Sequence, residues 1–70
     1  MIIKSDNLLL FNPDALKIEY QGGMDYKYYI VAYKNEHRYF VKGYDSEKNA
    51  REKLSILNEA VKKGKTVLEI

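Results

Sequence analysis

Hydrophobic and polar residues alternate along residues 26–44, YKYYIVAYKNEHRYFVKGY, which makes this the most strand-like stretch of the chain. Tyr, Val, Ile and Phe favour a pleated, half-buried surface. A polar break at residues 34–37 separates two such runs, so the pattern predicts an antiparallel hairpin. A two-residue turn at Asn35-Glu36 would pair Lys34 with His37, although a tight turn prefers Gly. A four-residue loop would keep this register, whereas a three-residue loop would exchange the faces of one strand.

The predicted register pairs Val31 with Phe40, Ile30 with Val41 and Tyr29 with Lys42. Because neighbouring side chains point to opposite sides of a strand, it also divides the hairpin into two faces. The uncharged face, which we predict to lie on the core, carries Tyr28, Ile30, Ala32, Tyr39, Val41 and Gly43. The other face is aromatic and edged with cations, and it carries Tyr29, Val31, Tyr33, Arg38, Phe40, Lys42 and Tyr44.

A helix is predicted over about residues 46–63. Its apolar positions Ala50, Leu54, Leu57 and Val61 are spaced by four, three and four residues, which places them on one stripe. Ile56 and Ala60 widen this stripe on one side, and we expect the stripe to be buried against the uncharged face of the hairpin. Asp45 or Ser46 can cap the start, and Gly64 is placed to adopt the left-handed conformation just after the end.

The remaining apolar runs predict short strands. Residues 17–21 join the hairpin strands 26–34 and 37–44 in a meander, and residues 66–70 form a short last strand. Residues 1–4 are a short first strand or a frayed start, and the run LLLF at residues 8–11 suits a strand buried on both faces or one end of a core. Residues 5–7 are typical of a turn, and Asn12-Pro13 favours one helical turn over residues 13–16. The chain is therefore predicted to be one small α+β domain, residues 1–70, with an antiparallel meander of about four strands and the helix on one face.

Composition narrows the function classes. A 70-residue chain has a marginal core, and it contains no Cys to form a disulfide or a thiolate metal site. Oligomerisation often stabilises scaffolds of this size. The net charge of +2 favours a polyanionic partner only weakly. No run resembles a signal peptide or a membrane span, so we expect a cytoplasmic protein without a membrane partner.

The aromatic face is the candidate binding surface, because a single helix can cover only one side of the sheet. Two alternatives are that the Tyr side chains lie at the rim of the sheet with their hydroxyls in water, or that the N-terminal segment covers this face. We predict a non-catalytic interaction module that self-associates, most simply as a dimer, or binds a partner protein through this face. Stacking of single-stranded nucleic acid on the rings, beside Lys27, Arg38 and Lys42, is an alternative. A nucleotide-like small molecule held between subunits is another.

Catalytic, metal and cofactor sites are not expected. His37 is the only His and lies beside the predicted turn, where a solvated side chain is the simplest interpretation. Ser46 is explained by helix capping, and Asp45 and Glu47 have no third ligand nearby in sequence.

Residues 44–50, YDSEKNA, together with Asn12-Pro13-Asp14 and the following Lys17-Ile18-Glu19, resemble short uncharacterised proteins of Gram-positive bacteria and their phages. Lys48 departs from the acidic residue that would complete a capping box. The resemblance implies no catalytic residues. It implies a small protein of phage type that acts in the cytoplasm of a bacterial host by binding and inhibiting a host component.

Overall fold

The computed structural model describes residues 1–6 and 8–70. Six strands and one helix follow in chain order: β1 (Ile2–Ser5), β2 (Leu8–Phe11), β3 (Ala15–Tyr20), β4 (Tyr28–Lys34), β5 (His37–Tyr44), α1 (Glu47–Lys62) and β6 (Val67–Glu69). The predicted α+β class, meander and single helix are confirmed. The strands divide between two three-stranded sheets, with orders β2-β1-β6 and β3-β4-β5.

The smaller sheet joins the two ends of the described chain. β1 pairs antiparallel with β2 and parallel with β6, so residues more than 60 positions apart become neighbours. In β2, Leu10 points into the core while Leu9 and Phe11 are exposed. The prediction that residues 8–11 are buried on both faces is therefore wrong, because the sheet has one covered side.

The helix begins where capping chemistry predicts. The Ser46 side chain accepts a hydrogen bond from the Asn49 N–H at 3.2 Å, and Glu47 lies in the first turn, where the helix dipole favours an acid. Gly64 follows the helix with φ of 87°, as expected for the residue after a helix end.

One core cluster unites the sheets and the helix. Ile3, Leu10 and Leu68 from the smaller sheet meet Leu57 from the helix and the uncharged face of the meander, represented by Ile30, Ala32 and Val41. The predicted core face of the hairpin is thus the face that packs on α1, which contacts β3, β4 and β5.

The hairpin turn confirms the two-residue prediction. Lys34 pairs with His37, and both Asn35 (φ 51°) and Glu36 (φ 69°) adopt the left-handed conformation that a primed turn requires. The predicted register holds as far as Val31 opposite Phe40. Beyond it, a β-bulge inserts Val41, so Ile30 faces Lys42 and Tyr29 faces Gly43. The predicted pairs Ile30–Val41 and Tyr29–Lys42 are therefore wrong, and Gly43 lies opposite Tyr29 instead of on the predicted core face.

One local prediction fails just before β3. The helical turn over residues 13–16 is absent, since β3 already begins at Ala15 and the Asp14 N–H donates to the Tyr33 carbonyl at 2.7 Å. Cross-strand pairing thus overrides the local preference of Asn12-Pro13. The predicted turn at residues 5–7 includes Asn7, which lies outside the described residues.

Candidate functional site

The predicted binding face is partly covered by its own side chains. Tyr29 is 8% exposed and Val31 is fully buried, whereas Phe40 is 38% exposed. Val31 pairs with Lys17 on one side and Phe40 on the other, so larger side chains surround it. The prediction that Tyr29 and Val31 belong to an exposed patch is therefore wrong.

Tyr44 lies on the opposite face from the one predicted. The bulge at Val41 adds one residue to β5, so Tyr44 pairs with Tyr28 and packs against the core cluster. Its buried hydroxyl oxygen has no hydrogen-bond partner among the described residues. Burial raises the pKa of the Tyr44 hydroxyl above its usual value of 10.0. Tyr44 is thus a core residue and does not belong to the candidate site.

Three aromatic side chains form what we call the ring row: Tyr26, Tyr29 and Phe40. The Tyr26 and Tyr29 ring centroids are 6.2 Å apart, and those of Tyr29 and Phe40 are 5.3 Å apart, both in edge-to-face orientation. The Tyr26 N–H also approaches the Tyr29 hydroxyl at 3.4 Å. Buried Tyr29 therefore holds two exposed rings, one on each side.

A glycine makes room for the ring row. A Cβ added at Gly43 would lie 2.4 Å from Cδ2 of Tyr26, so only Gly lets the Tyr26 side chain approach β5 this closely. Tyr26 was not among the residues predicted for the site. Gly43 within an otherwise bulky strand is the sequence signal that could have indicated the close approach.

An ionic cluster borders the ring row. Arg38 Nη1 lies 2.7 Å from Glu19 Oε1, and the Arg38 guanidinium lies over the Phe40 ring at 5.7 Å. Glu19 also accepts hydrogen bonds from the Tyr33 hydroxyl and, at 3.1 Å, from Gln21. Lys17 Nζ lies 5.3 Å from the centroid of the Tyr33 ring. The cluster gives the Arg38 charge a partner within the chain, while the Arg38 side chain stays 52% exposed.

A cleft of about 550 Å³ runs beside β5. Its lining includes Arg38, Phe40 and Lys42 of β5, and Ser5 and Asp6 from the end of β1. The volume lies within the roughly 300–1,000 Å³ common for ligand sites. Lys42, a predicted site residue, therefore shares this cleft with the three residues of the ring row, which also line it.

One edge of β5 carries unpaired backbone groups. The two-residue turn makes Lys34 and His37 a doubly hydrogen-bonded pair. Along an antiparallel ladder, such pairs alternate with pairs that share no backbone hydrogen bond. The Gln21 N–H also donates to the carbonyl of Lys27, the residue just before β4. Continued along the register of β3 and β4, this bond means that odd-numbered β4 residues bond to β3 and even-numbered ones bond to β5. Arg38 and Phe40 must therefore direct their N–H and C=O groups away from β4. Within residues 1–6 and 8–70, no strand pairs with that side of β5.

The structure brings together Tyr29, Val31, Tyr33, Arg38 and Phe40 from the predicted set, and adds Tyr26, Glu19 and Lys17. His37 lies at the first position of β5, exposed, with its ring 6.4 Å from that of Tyr39. In the described part of the chain, no group of three acidic, His or Cys side chains is arranged to hold a metal ion. No helix among the described residues is long and apolar enough to span a membrane.

Comparisons with known proteins add no relationship: no family model matches the chain, and neither a curated protein nor a solved structure matches it.

Proposed function

We propose that this chain is a non-catalytic protein-interaction module that self-associates through the open side of β5 and the exposed rings beside it. The observation that carries the proposal is the combination at Phe40 of a partly exposed ring and outward-pointing backbone groups. Unpaired strand edges are templates for pairing with another chain, and exposed aromatic residues are enriched at binding hot spots.

The ring row is suited to binding because it is already ordered. Tyr29 is buried between Tyr26 and Phe40, and the ionic cluster holds Arg38 over the Phe40 ring. Groups that are fixed before binding lose less conformational entropy when a partner arrives. The surface can therefore form a specific contact although its exposed area is small.

Self-association also addresses the size of the core. Among the described residues, ten hydrophobic side chains are buried, and Ile3, Ile30 and Val31 are the largest of those that are fully buried. A symmetric dimer would bury further apolar surface and so add to the small amount that one chain buries by itself. A host protein is a further partner class for the same surface, and the resemblance to phage proteins would make an inhibitory role its concrete form.

Single-stranded nucleic acid is the second candidate partner, because Phe40 is exposed beside Arg38 and Lys42. The ion pair between Arg38 and Glu19 opposes it, since the cation nearest the ring already has a partner within the chain. Binding of a labelled oligonucleotide that weakens steeply between low and moderate salt would favour this candidate. Absence of binding at low salt would remove it.

Sedimentation velocity of matched variants tests the proposal. Phe40→Asp places a charge at the surface, whereas Ile56→Asp does so at an exposed helix position, where Ile56 is 60% exposed. We expect Ile56→Asp to associate like the wild type and Phe40→Asp to remain a folded monomer by circular dichroism. Equal association of both variants, or unfolding of Phe40→Asp alone, would contradict the proposal.

A further inference from the structure

The alternation of hydrogen bonds along β5 restricts how a second copy could pair with it. Only residues whose N–H and C=O groups point away from β4 can bond to a new strand. In the first half of β5 these are Arg38 and Phe40, because His37 and Tyr39 belong to doubly bonded pairs with Lys34 and Ala32.

Two-fold symmetry then selects a single register. With Tyr39 on the axis, Arg38 of each copy faces Phe40 of the other, and both pairs can exchange two backbone bonds. With Phe40 on the axis, Arg38 would face Lys42, whose backbone the bulge directs towards Ile30. With Arg38 on the axis, Phe40 would face Glu36, which lies in the turn before β5, so only the central Arg38 pair could bond.

We infer that two copies of this chain pair antiparallel along β5, with Tyr39 at the two-fold axis and Arg38 opposite the partner subunit's Phe40. This inference rests on the proposed self-association and names its geometry. The two meanders join into one sheet of six strands. Four backbone hydrogen bonds connect them, two for each Arg38–Phe40 pair.

Side chains agree with this register on both faces. Arg38 already lies over its own Phe40 ring, and the pairing places a second ring beside the same guanidinium, a favourable cation–π arrangement. Glu19 balances the charge of Arg38 in each copy, so the two cations can approach without net repulsion. On the opposite face, the two Tyr39 side chains form a close cross-strand pair.

The bulge at Val41 limits the extent of the pairing. Bulges interrupt a ladder and commonly protect strand edges, so hydrogen bonding between the copies ends after Phe40. Such a short contact lies at the small end of protein interfaces. The dimer is therefore a reversible one that forms as the protein concentration rises.

Amide hydrogen exchange, followed by NMR at a low and a high protein concentration, tests the pairing without mutation. The Arg38 and Phe40 amides point outward in a monomer, so we expect their exchange to slow at least tenfold at high concentration. The Ile18 amide, on the outer side of β3, is the matched control and should not change. Sedimentation of the same samples reports the oligomeric state.

The outcomes separate the pairing from the proposed function. A dimer in which the Arg38 and Phe40 amides still exchange rapidly, or in which Ile18 is protected instead, overturns the β5 pairing alone. A monomer at both concentrations overturns the proposed self-association and the pairing together. Slowed exchange at Arg38 and Phe40 in a dimer supports both.

A disulfide provides a second readout, since the chain has no native Cys. Tyr39→Cys would place two thiols across the two-fold axis, where opposed residues lie close enough for a disulfide. Ser55→Cys, at an exposed helix position, is the control. We expect mild oxidation to link folded Tyr39→Cys into a dimer at least tenfold faster than Ser55→Cys. Equal rates would overturn the register.

Discussion

The Tyr26 ring lies directly on Gly43, so close that a Cβ at position 43 would come within 2.4 Å of Cδ2 and 2.8 Å of Cβ of Tyr26. The contact involves the base of the Tyr26 side chain, which cannot swing aside as its tip could. It thereby ties residues 21–27, the connection between β3 and β4, to β5. The position of the ring row depends on this absence of a side chain.

Gly43→Ala should therefore lower the free energy of unfolding by about 1–3 kcal/mol, the usual cost of overpacking. The expected accompanying change is a shift in the NMR signals of the Tyr26 and Tyr29 rings. Gly23→Ala is the matched control, because nothing lies within 4 Å of an added Cβ there. Chemical denaturation of both variants is the measurement, and an equal effect at both positions would show that Tyr26 does not lie against Gly43.

The turn residue Glu36 offers a stabilising change. Glu36 has φ of 69°, a conformation that costs a non-Gly residue about 1 kcal/mol or more. Glu36→Gly should raise the free energy of unfolding by about 1 kcal/mol, whereas Glu52→Gly inside α1 should lower it by a similar amount. Thermal melts of the two variants would check the opposite signs. Destabilisation by both would argue against the two-residue primed turn.

Tyr44 carries a buried hydroxyl without a partner among the described residues. Tyr44→Phe removes that group and keeps the ring, so it should raise the free energy of unfolding by about 1 kcal/mol at neutral pH. Tyr28→Phe, at the position that pairs with Tyr44, is the comparison. If Tyr44→Phe destabilises the protein in urea denaturation while Tyr28→Phe does not, the hydroxyl has a partner that the fold requires.

The same residue predicts a loss of stability in alkali. Burial raises the pKa of Tyr44 in the folded state above 10.0, so the unfolded chain loses this proton first as the pH rises. The contribution of Tyr44 is thus complete below about pH 10 and is lost as the pH rises through the folded-state pKa. Between pH 9 and pH 11, urea denaturation should show a smaller loss for Tyr44→Phe than for the wild type. Identical losses would exclude this role for Tyr44.

The helix stripe supplies a test of the core. Leu57 is 3% exposed within the main cluster, and its neighbour Ile56 is 60% exposed. Leu57→Ala should cost about 2–5 kcal/mol, enough to unfold a domain with a small core, whereas Ile56→Ala should change stability by less than about 0.5 kcal/mol. Circular dichroism melts distinguish the two variants. Comparable effects would show that α1 packs on the core with a different face.

Local chemistry accounts for the parts of the fold that could be predicted. The spacing of Ala50, Leu54 and Leu57, with Ser46 before and Gly64 after, is sufficient to locate the helix. The predicted stripe is too wide, because Ile56 is 60% exposed and Val61 is 42% exposed. The alternation around Asn35-Glu36 likewise predicts the turn and the register as far as Phe40. Each of these features depends on residues that are close in sequence.

The parts that could not be predicted depend on distant residues. Parallel pairing of β1 with β6 joins the two ends of the described chain, and no local pattern distinguishes it from a single sheet. The bulge at Val41 leaves the alternation of apolar residues intact, so nothing in the pattern marked the change of face at Tyr44. Burial of Val31 requires Lys17 across the sheet, a neighbour that appears only once β3 and β4 are paired.

The mass of the wild-type protein in solution tests the proposed self-association most directly. Sedimentation equilibrium over a hundredfold range of protein concentration should show a mass that rises from the 8.2 kDa of one chain towards twice that value. A mass that stays at 8.2 kDa at every concentration would contradict the proposal that the open side of β5 binds a second copy.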